Sequence, residues 1–329
     1  MVKIGDIELG DFPLLLAPME DVSDPPFRKL CKEQGADLVY TEFISADGLV
    51  HEAISSIKKL DIFDYERPIG IQYFGGQLDS MLQAAEIIES KEPDLIDINY
   101  GCPVTKVVCR MAGAGLLRDI PRMVALTAAV VKSTRRPVTV KTRLGWDASS
   151  INIVEVAERL QDVGIAALTI HARTRAQMYK GEADWTWIAR VKEHPRIHIP
   201  IFGNGDIDSP QKALEYRQRY GPDGIMIGRA SIGYPWIFRE IKHYFATGEL
   251  LPPPTVAERV GAARQHLLDS IAWKGPKLGV LEMRRHYGPY FRDLPNIKPY
   301  RQRLVTEMAP QALLAVLDEI EEAYSLQFA

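Results

Sequence analysis

Cysteine is scarce in this chain of 329 residues: Cys31, Cys102 and Cys109 are the only three, without C-x-x-C spacing. Neither a disulfide framework nor a cysteine zinc site can be built from them. The seven histidines form no H-E-x-x-H or comparable cluster, so no metal is expected. Long hydrophobic runs are missing too. No stretch approaches the roughly 18 apolar residues of a membrane span, and Met1-Val2-Lys3-Ile4-Gly5-Asp6 lacks a signal-peptide core. A cytoplasmic protein that keeps off the membrane is therefore expected. The net charge is only -3, so a polyanionic partner would have to be met by a local cationic patch rather than by the whole surface. With 46% hydrophobic and 25% charged residues, the composition excludes disordered, collagenous and coiled-coil chains.

What is present is a rhythm of short, wholly apolar runs, each followed by helical periodicity. Eight such runs fall at 14–17, 38–40, 69–73, 95–98, 138–141, 167–170, 199–202 and 224–227. Strands that are apolar throughout, rather than alternating, suit a parallel sheet covered on both faces. Helix signals lie between them: Asp79 as a cap, Ser209-Pro210 as N-cap and first residue, and Gly164 as a stop. Eight strand-helix units over roughly 240 residues match a TIM (β/α)8 barrel. The competing doubly wound sheet advertises G-x-G-x-x-G after its first strand, where this chain reads Pro18-Met19-Glu20-Asp21. Pro252-Pro253-Pro254 then breaks the pattern, and helical spacing resumes from Thr255. The expected architecture is a barrel domain over residues 1–248 and a small all-helical domain over 249–329.

Active sites of such barrels lie at the carboxyl ends of the strands. Those ends should present Pro18, Met19, Gln72, Asn99, Lys141, His171, Asn204, Gly205, Asp206, Gly228 and Arg229. A lysine ending a buried strand is costly unless it meets an anion or strong acceptors. Its partner is either a barrel carboxylate or a ligand. Glycine-rich segments after the seventh and eighth strands are where this fold often binds phosphate, and Arg229 adds a bidentate group there. Arg173 and Arg175, with Lys180, would rim a pocket for a polyanionic substrate. Asp97-Ile98-Asn99-Tyr100-Gly101-Cys102-Pro103 mounts one thiol at a strand tip. A lone cysteine is most often a small buried hydrophobe, so the thiol gains meaning only from its neighbours.

Together, Ala17-Pro18-Met19, Gln72, Asn99-Tyr100-Gly101-Cys102-Pro103, Val140-Lys141-Thr142-Arg143, Ile170-His171-Ala172-Arg173-Thr174-Arg175, Gly203-Asn204-Gly205-Asp206 and Ile227-Gly228-Arg229-Ala230 resemble the tRNA-dihydrouridine synthases. The resemblance implies an FMN barrel that reduces a uridine of tRNA, with NADPH or NADH as electron source and no obligate protein partner. It implies that Pro18, Met19, Gln72, Lys141 and His171 surround the flavin ring and ribityl chain. Asn204, Gly205, Asp206, Gly228 and Arg229 would hold the ribityl and phosphate end. Cys102 would donate a proton, and Asn99 would place flavin or uracil. The segment 283–303, with Arg284, Arg285 and Arg301 among aromatic residues, has the composition for phosphate contact and base stacking. Two other readings remain: an FMN barrel dehydrogenase acting on a free pyrimidine, and a flavin-bound tRNA-binding protein without turnover.

Overall fold

In the computed structural model, which describes residues 1–325, the apolar runs become strands buried on both faces. A hairpin of β1 (Lys3–Ile4) and β2 (Ile7–Glu8) precedes β3 (Leu14–Leu16), β4 (Val39–Tyr40) and β5 (Ile44–Ser45). Next come β6 (Ile69–Phe74), β7 (Leu95–Tyr100), β8 (Val138–Arg143), β9 (Ala167–His171), β10 (Ile201–Asn204) and β11 (Gly224–Ile227). The parallel order is β3-β11-β10-β9-β8-β7-β6-β4. A parallel bridge between Leu15 and Leu38 joins its two ends. There the Leu16 N–H donates to the Leu38 carbonyl at 2.9 Å. The result is an eight-stranded parallel barrel with helices between the strands, and β5 only extends the edge of β6.

Side-chain direction alternates along each strand, and this divides every run between two cores. Leu14 and Leu16 pack outward against the helices, whereas Leu15 and Ala17 point into the barrel with Leu38, Tyr40, Leu95, Phe202 and Met226. Ile4 of the hairpin and Leu9 just after it cap that inner cluster from the amino end. By the same parity Gln72, Asp97, Asn99, Thr139, Lys141, His171 and Asn204 face inward, nearer the carboxyl end. The barrel is thus apolar at its floor and polar at its mouth.

Some strands run longer than their apolar stretch suggests: β7 continues to Tyr100, β8 to Arg143 and β10 to Asn204. Polar residues at the mouth extend the ladder because their side chains find partners there. The helix Leu78–Glu89 is capped at Gln77, with Asp79 inside its first turn rather than at the cap. An acidic residue there still favours the positive end of the helix. Ser209 caps the helix Pro210–Tyr220 as expected, accepting from the Lys212 N–H.

After the helix Ile237–Thr247, Gly248 turns through the left-handed region. Beyond the prolines, Thr255 and Glu258 form a capping box for the helical run Val256–Tyr290. Gly275, at φ +81° and followed by Pro276, breaks that run, because only glycine adopts such an angle freely. The helices Lys298–Thr306 and Pro310–Ser325 complete the C-terminal helical region. Among the described residues, no helix is long and apolar enough to cross a membrane.

This region packs on the first barrel helix, Pro25–Glu33. Lys274 joins Asp24 of the barrel to Glu282. Phe27 packs against two buried imidazoles that also touch each other, with ring centroids 5.6 Å from His266 and 5.0 Å from His286. His286 Nδ1 accepts the Gly233 N–H at 3.1 Å, which fixes that imidazole as the neutral Nε2–H tautomer. Burial lowers the pKa of His266 from 6.5 to about 4, and that of His286 falls well below its ordinary value. Because both prefer the neutral form when folded, the unfolded chain binds more protons between pH 6.5 and 4. Stability is full above that window and is lost as pH falls through it. For His266 alone the loss amounts to about 3 kcal/mol. Thermal melts from pH 7 to 4.5 should show this decline, and His266→Phe should flatten part of it. An unchanged slope in that variant would remove the histidine from the acid response.

Candidate functional site

The inward residues at the mouth open into a cavity of about 810 Å³. Ala17, Pro18, Met19 and Met226 give it an apolar side, while Lys141, His171 and Arg229 supply polarity. Strand register sets the neighbours: Asn99 lies beside Lys141, and Asn204 beside His171. Lys141 Nζ donates to Asn204 Oδ1 at 3.2 Å, and Asn204 Nδ2 donates to the Met226 carbonyl at 2.8 Å. Desolvation and the nearby Arg143 bring Lys141 down to about 8, opposed by Asp97. The lysine is therefore charged at neutral pH yet releases its proton far more readily than a surface lysine.

Cys102 lies on the lip of this cavity and is 6% exposed. Asn99 Oδ1 accepts the N–H groups of both Gly101 and Cys102, at 2.8 and 2.9 Å. Arg143 Nε donates to the Gly101 carbonyl at 2.8 Å and its Nη1 to those of Thr174 and Met178, tying the cysteine turn to the loop across the mouth. Burial raises the pKa of the Cys102 thiol, offset in part by the Val104 N–H and by Arg143. At neutral pH the group is a thiol held in place.

His171 is almost fully enclosed. Burial, with Arg143, Lys141, Arg173 and Arg229 around it, drives its pKa well below 6.5. Arg173 Nη1 lies 3.4 Å from Nε2; a guanidinium only donates, so that nitrogen accepts and the proton sits on Nδ1. Gly205 behind it must be glycine. Its φ is +124°, and a Cβ would come within 2.9 Å of Ala183 and 3.1 Å of His171. Asp206 also takes a positive φ of 60°, and its carboxylate is gripped by Arg173 at 2.6 Å, by the Ala183 N–H at 2.9 Å and by Arg229 at 3.0 Å.

Most residues expected at the strand ends therefore meet in one cavity: Pro18, Met19, Asn99, Cys102, Lys141, His171, Asn204, Gly205, Asp206, Gly228 and Arg229 all border it. Gln72 does not. It is completely buried and reaches the lining only through Asn99. Arg173, expected at the rim as a substrate contact, is instead 2% exposed, and its guanidinium binds Asp206 and the carbonyls of Lys180 and Gly181. Arg175 lies half-buried over the Trp146 ring, 4.6 Å from its centroid.

The basic segment also divides. Arg284 turns inward to the carbonyls of Thr306 and Glu307, and Arg285 reaches the Glu20 carbonyl and Asp21 on the barrel lip. Arg301 is exposed and, among the described residues, makes no ion pair. Tyr300, beside Arg301, is half-buried, but most aromatic residues between these arginines are core rather than stacking platforms: Tyr287, Tyr290 and Phe291 are fully buried. Their spacing from Met283, a helical stripe at every third or fourth residue, is the signal that sequence reading passed over. Sequence reading also gave no role to Asp97, Arg143 or Tyr179. Tyr179 is 54% exposed at the mouth, and the Arg229 and Arg143 guanidinium carbons lie 5.0 and 5.7 Å from its ring centroid. Only the fold brings these groups together.

Known proteins resemble this chain over nearly its whole length. The profile described as Dihydrouridine synthase (Dus) matches residues 15–326. The tRNA-dihydrouridine synthase B of Pseudomonas aeruginosa is 40% identical over 301 residues, covering 92% of this chain and 90% of that protein. The probable tRNA-dihydrouridine synthase 1 of Synechocystis is 40% identical over 319 residues, covering 97% and 88%. Among solved structures, histamine dehydrogenase from Rhizobium sp. 4-9 superposes with a TM-score of 0.52 at 13% identity. The match covers 80% of this chain and 50% of that longer one, and it shows a shared barrel fold. By sequence, over nearly its whole length, the chain belongs to the dihydrouridine synthase family.

Proposed function

We propose that this protein reduces the C5=C6 bond of a uridine in tRNA to dihydrouridine, with FMN as cofactor and NADPH or NADH as electron source. The observation that carries the reading is Cys102: a neutral thiol, tethered by Asn99 and Arg143, on the lip of a cavity that also holds Lys141 and His171. The cavity suits a flavin. Its volume of about 810 Å³ lies in the range of cofactor sites. Its apolar wall at Ala17, Pro18 and Met19 fits a ring face, and Gly205, Gly228 and Arg229 form an end where an anion would be met by backbone and guanidinium. Residues 1–248 would hold the flavin and residues 249–329 would help dock RNA. A tRNA substrate accords with a cytoplasmic protein.

Bound FMN supplies the hydride. The protein's own groups do the rest. Uracil C5=C6 is conjugated to the C4 carbonyl, so hydride arriving at C6 leaves enolate character that a proton must quench at C5. Cys102 is the acid, kept protonated by burial. Charged Lys141, anchored by Asn204, stabilises negative charge developing in the pocket. His171 stays neutral and presents Nδ1–H as a fixed donor. A uridine within folded tRNA must be extruded to enter, at a cost of roughly a few kcal/mol. Arg301 and Arg175 are the proposed phosphate contacts, whereas Arg284, Arg285 and Arg173 mainly brace the protein's own loops.

The central test mixes anaerobically NADPH-reduced protein with tRNA lacking dihydrouridine, and separately with free uridine and orotate. Reoxidation by tRNA alone, with dihydrouridine formed in it, is expected. Turnover of orotate instead would favour a free-pyrimidine dehydrogenase, and binding of tRNA without reoxidation would favour a non-catalytic binder. Cys102→Ala should keep flavin and tRNA binding but lose about two orders of magnitude or more of single-turnover reduction.

A second prediction follows from Lys141. Its positive charge is present below about pH 8 and is lost above it, so the tRNA-dependent rate should fall as pH rises through that value. Lys141→Arg should move the fall about one unit or more higher, because a guanidinium keeps its proton. A fall unmoved by that change would assign the titration to Cys102. Arg301→Glu should weaken tRNA binding at low salt and flatten its salt dependence, leaving flavin content alone; equal affinity and slope would place the RNA elsewhere.

A further inference from the structure

Beneath the cavity runs a hydrogen-bond chain that the proposed reaction does not itself use. Asp97, 1% exposed inside the barrel, accepts from Thr139 Oγ1 and from Gln72 Nε2, each at 2.5 Å. Gln72 Oε1 accepts from Asn99 Nδ2 at 2.8 Å, and Asn99 Oδ1 takes the N–H groups of Gly101 and Cys102. Every link has a direction. An ionised carboxylate can only accept, so it turns the Gln72 amide nitrogen toward itself and the Gln72 oxygen toward Asn99. Asn99 must then present its nitrogen to Gln72 and its oxygen to the cysteine turn. The far end states the same polarity, because two backbone N–H groups can only donate. The chain is therefore fixed from both ends, and each amide has one orientation in which all groups are satisfied.

We propose that Asp97, acting through Gln72 and Asn99, is the positioning residue for Cys102: its acceptor-only carboxylate sets the polarity of the chain that holds the thiol at the cavity lip. The proposal deepens the reading of Cys102 as proton donor and rests on it for its chemistry. Asp97 does not border the cavity. Its influence on the thiol crosses one strand pair twice, from β7 to β6 and back.

The chain can be broken and rebuilt. In Gln72→Glu, a second carboxylate faces Asp97 and the two acceptors repel, so the chain loses a link. The double variant Asp97→Asn with Gln72→Glu exchanges the two functional groups. The amide nitrogen introduced at position 97 donates to one oxygen of the carboxylate introduced at position 72, whose other oxygen still accepts from Asn99. Thr139 still donates to the amide oxygen left at position 97. The link is rebuilt with its direction reversed, Asn99 keeps its orientation, and net charge is restored.

The experiment measures the alkylation rate of Cys102 by iodoacetamide in the purified protein, resolved by peptide mass spectrometry, with exposed Cys109 as internal reference. Alkylation of a buried thiol reports opening of its turn. Gln72→Glu should accelerate Cys102 alkylation about tenfold, the scale of one lost hydrogen bond, with Cys109 unchanged. The double variant should return to within about twofold of the parent, and its single-turnover tRNA reduction should exceed that of Gln72→Glu. If Gln72→Glu does not fold, a folded double variant with parental alkylation supports the proposal, and a double that fails equally overturns it. Single and double variants reacting alike, whether slow or fast, also overturn it. The alkylation comparison needs neither tRNA nor turnover. A parent protein that fails to reduce tRNA would therefore sink the functional reading while leaving the positioning result to be judged by itself.

Discussion

Putting a carboxylate inside a closed barrel is the constraint from which the mouth of this molecule is built. Asp97 sits one layer above the apolar floor of Leu15, Leu95 and Phe202, fully desolvated, and burial lifts its pKa to about 6 despite hydrogen bonds from Gln72 and Thr139 and the nearby Lys141. A buried charge is tolerable only when its lone pairs are filled and an opposite charge is near. Filling them fixes Gln72 and Thr139; Gln72 fixes Asn99; Asn99 fixes the cysteine turn. Lys141, two residues along β8 from Thr139, supplies the compensating charge. The polar layer is thus a consequence of one residue choice propagated through parallel register.

A second constraint acts from outside. The loops over the mouth have little core of their own, and guanidinium groups replace it. Arg143 gathers three carbonyls from two loops, and Arg173 gathers two carbonyls from one of those same loops and a carboxylate from the turn after β10. Arginine suits this task because its planar fork satisfies several acceptors at once and stays charged when buried. The same loops carry exposed Met178 and Tyr179, so the bracing arginines hold an apolar and aromatic rim in place for whatever docks there.

The barrel was legible in the sequence because strands covered on both faces read as unbroken apolar runs, and because polar residues stood where each run stopped. Most of the cavity followed from that alone: Lys141, His171 and Asn204 are strand-end residues with inward parity. What lay beyond sequence was anything set by contact across strands. Gln72 and Asn99 look equivalent at their strand tips, yet one is sealed beneath the cavity and the other lines it. Arg173 and Arg175 are two residues apart in one motif, but the first turns inward to Asp206 while the second lies on Trp146. Strand alternation would put residues two apart on one face, and it is the loop following β9, which ends at His171, that sends them different ways.

The C-terminal region shows the opposite error, a pattern read as surface that is partly core. Between 283 and 303 basic and aromatic residues alternate in composition but not in space. Met283, Tyr287 and Tyr290 form one buried stripe, and His286 closes the seam against Phe27 and Gly233. The cations lie between these positions, and two of the three expected to meet RNA are turned back onto the protein. Arg285 is the more telling of the pair, since it reaches the Glu20 carbonyl and Asp21 on the lip of the cavity. Asp21 in turn donates its N–H to Glu42, and Lys59 ties Glu42 to Glu20. Beside the apolar seam at Phe27, charge thereby also joins the helical region to the mouth. An RNA backbone arriving at this seam would compete for Arg285 with the Asp21 carboxylate and the Glu20 carbonyl that already hold it, so the seam opposes RNA unless that pair opens. The net charge of -3 does not report this local matching: Arg285 is held by Asp21, whereas many other cations, Arg301 among them, make no ion pair among the described residues.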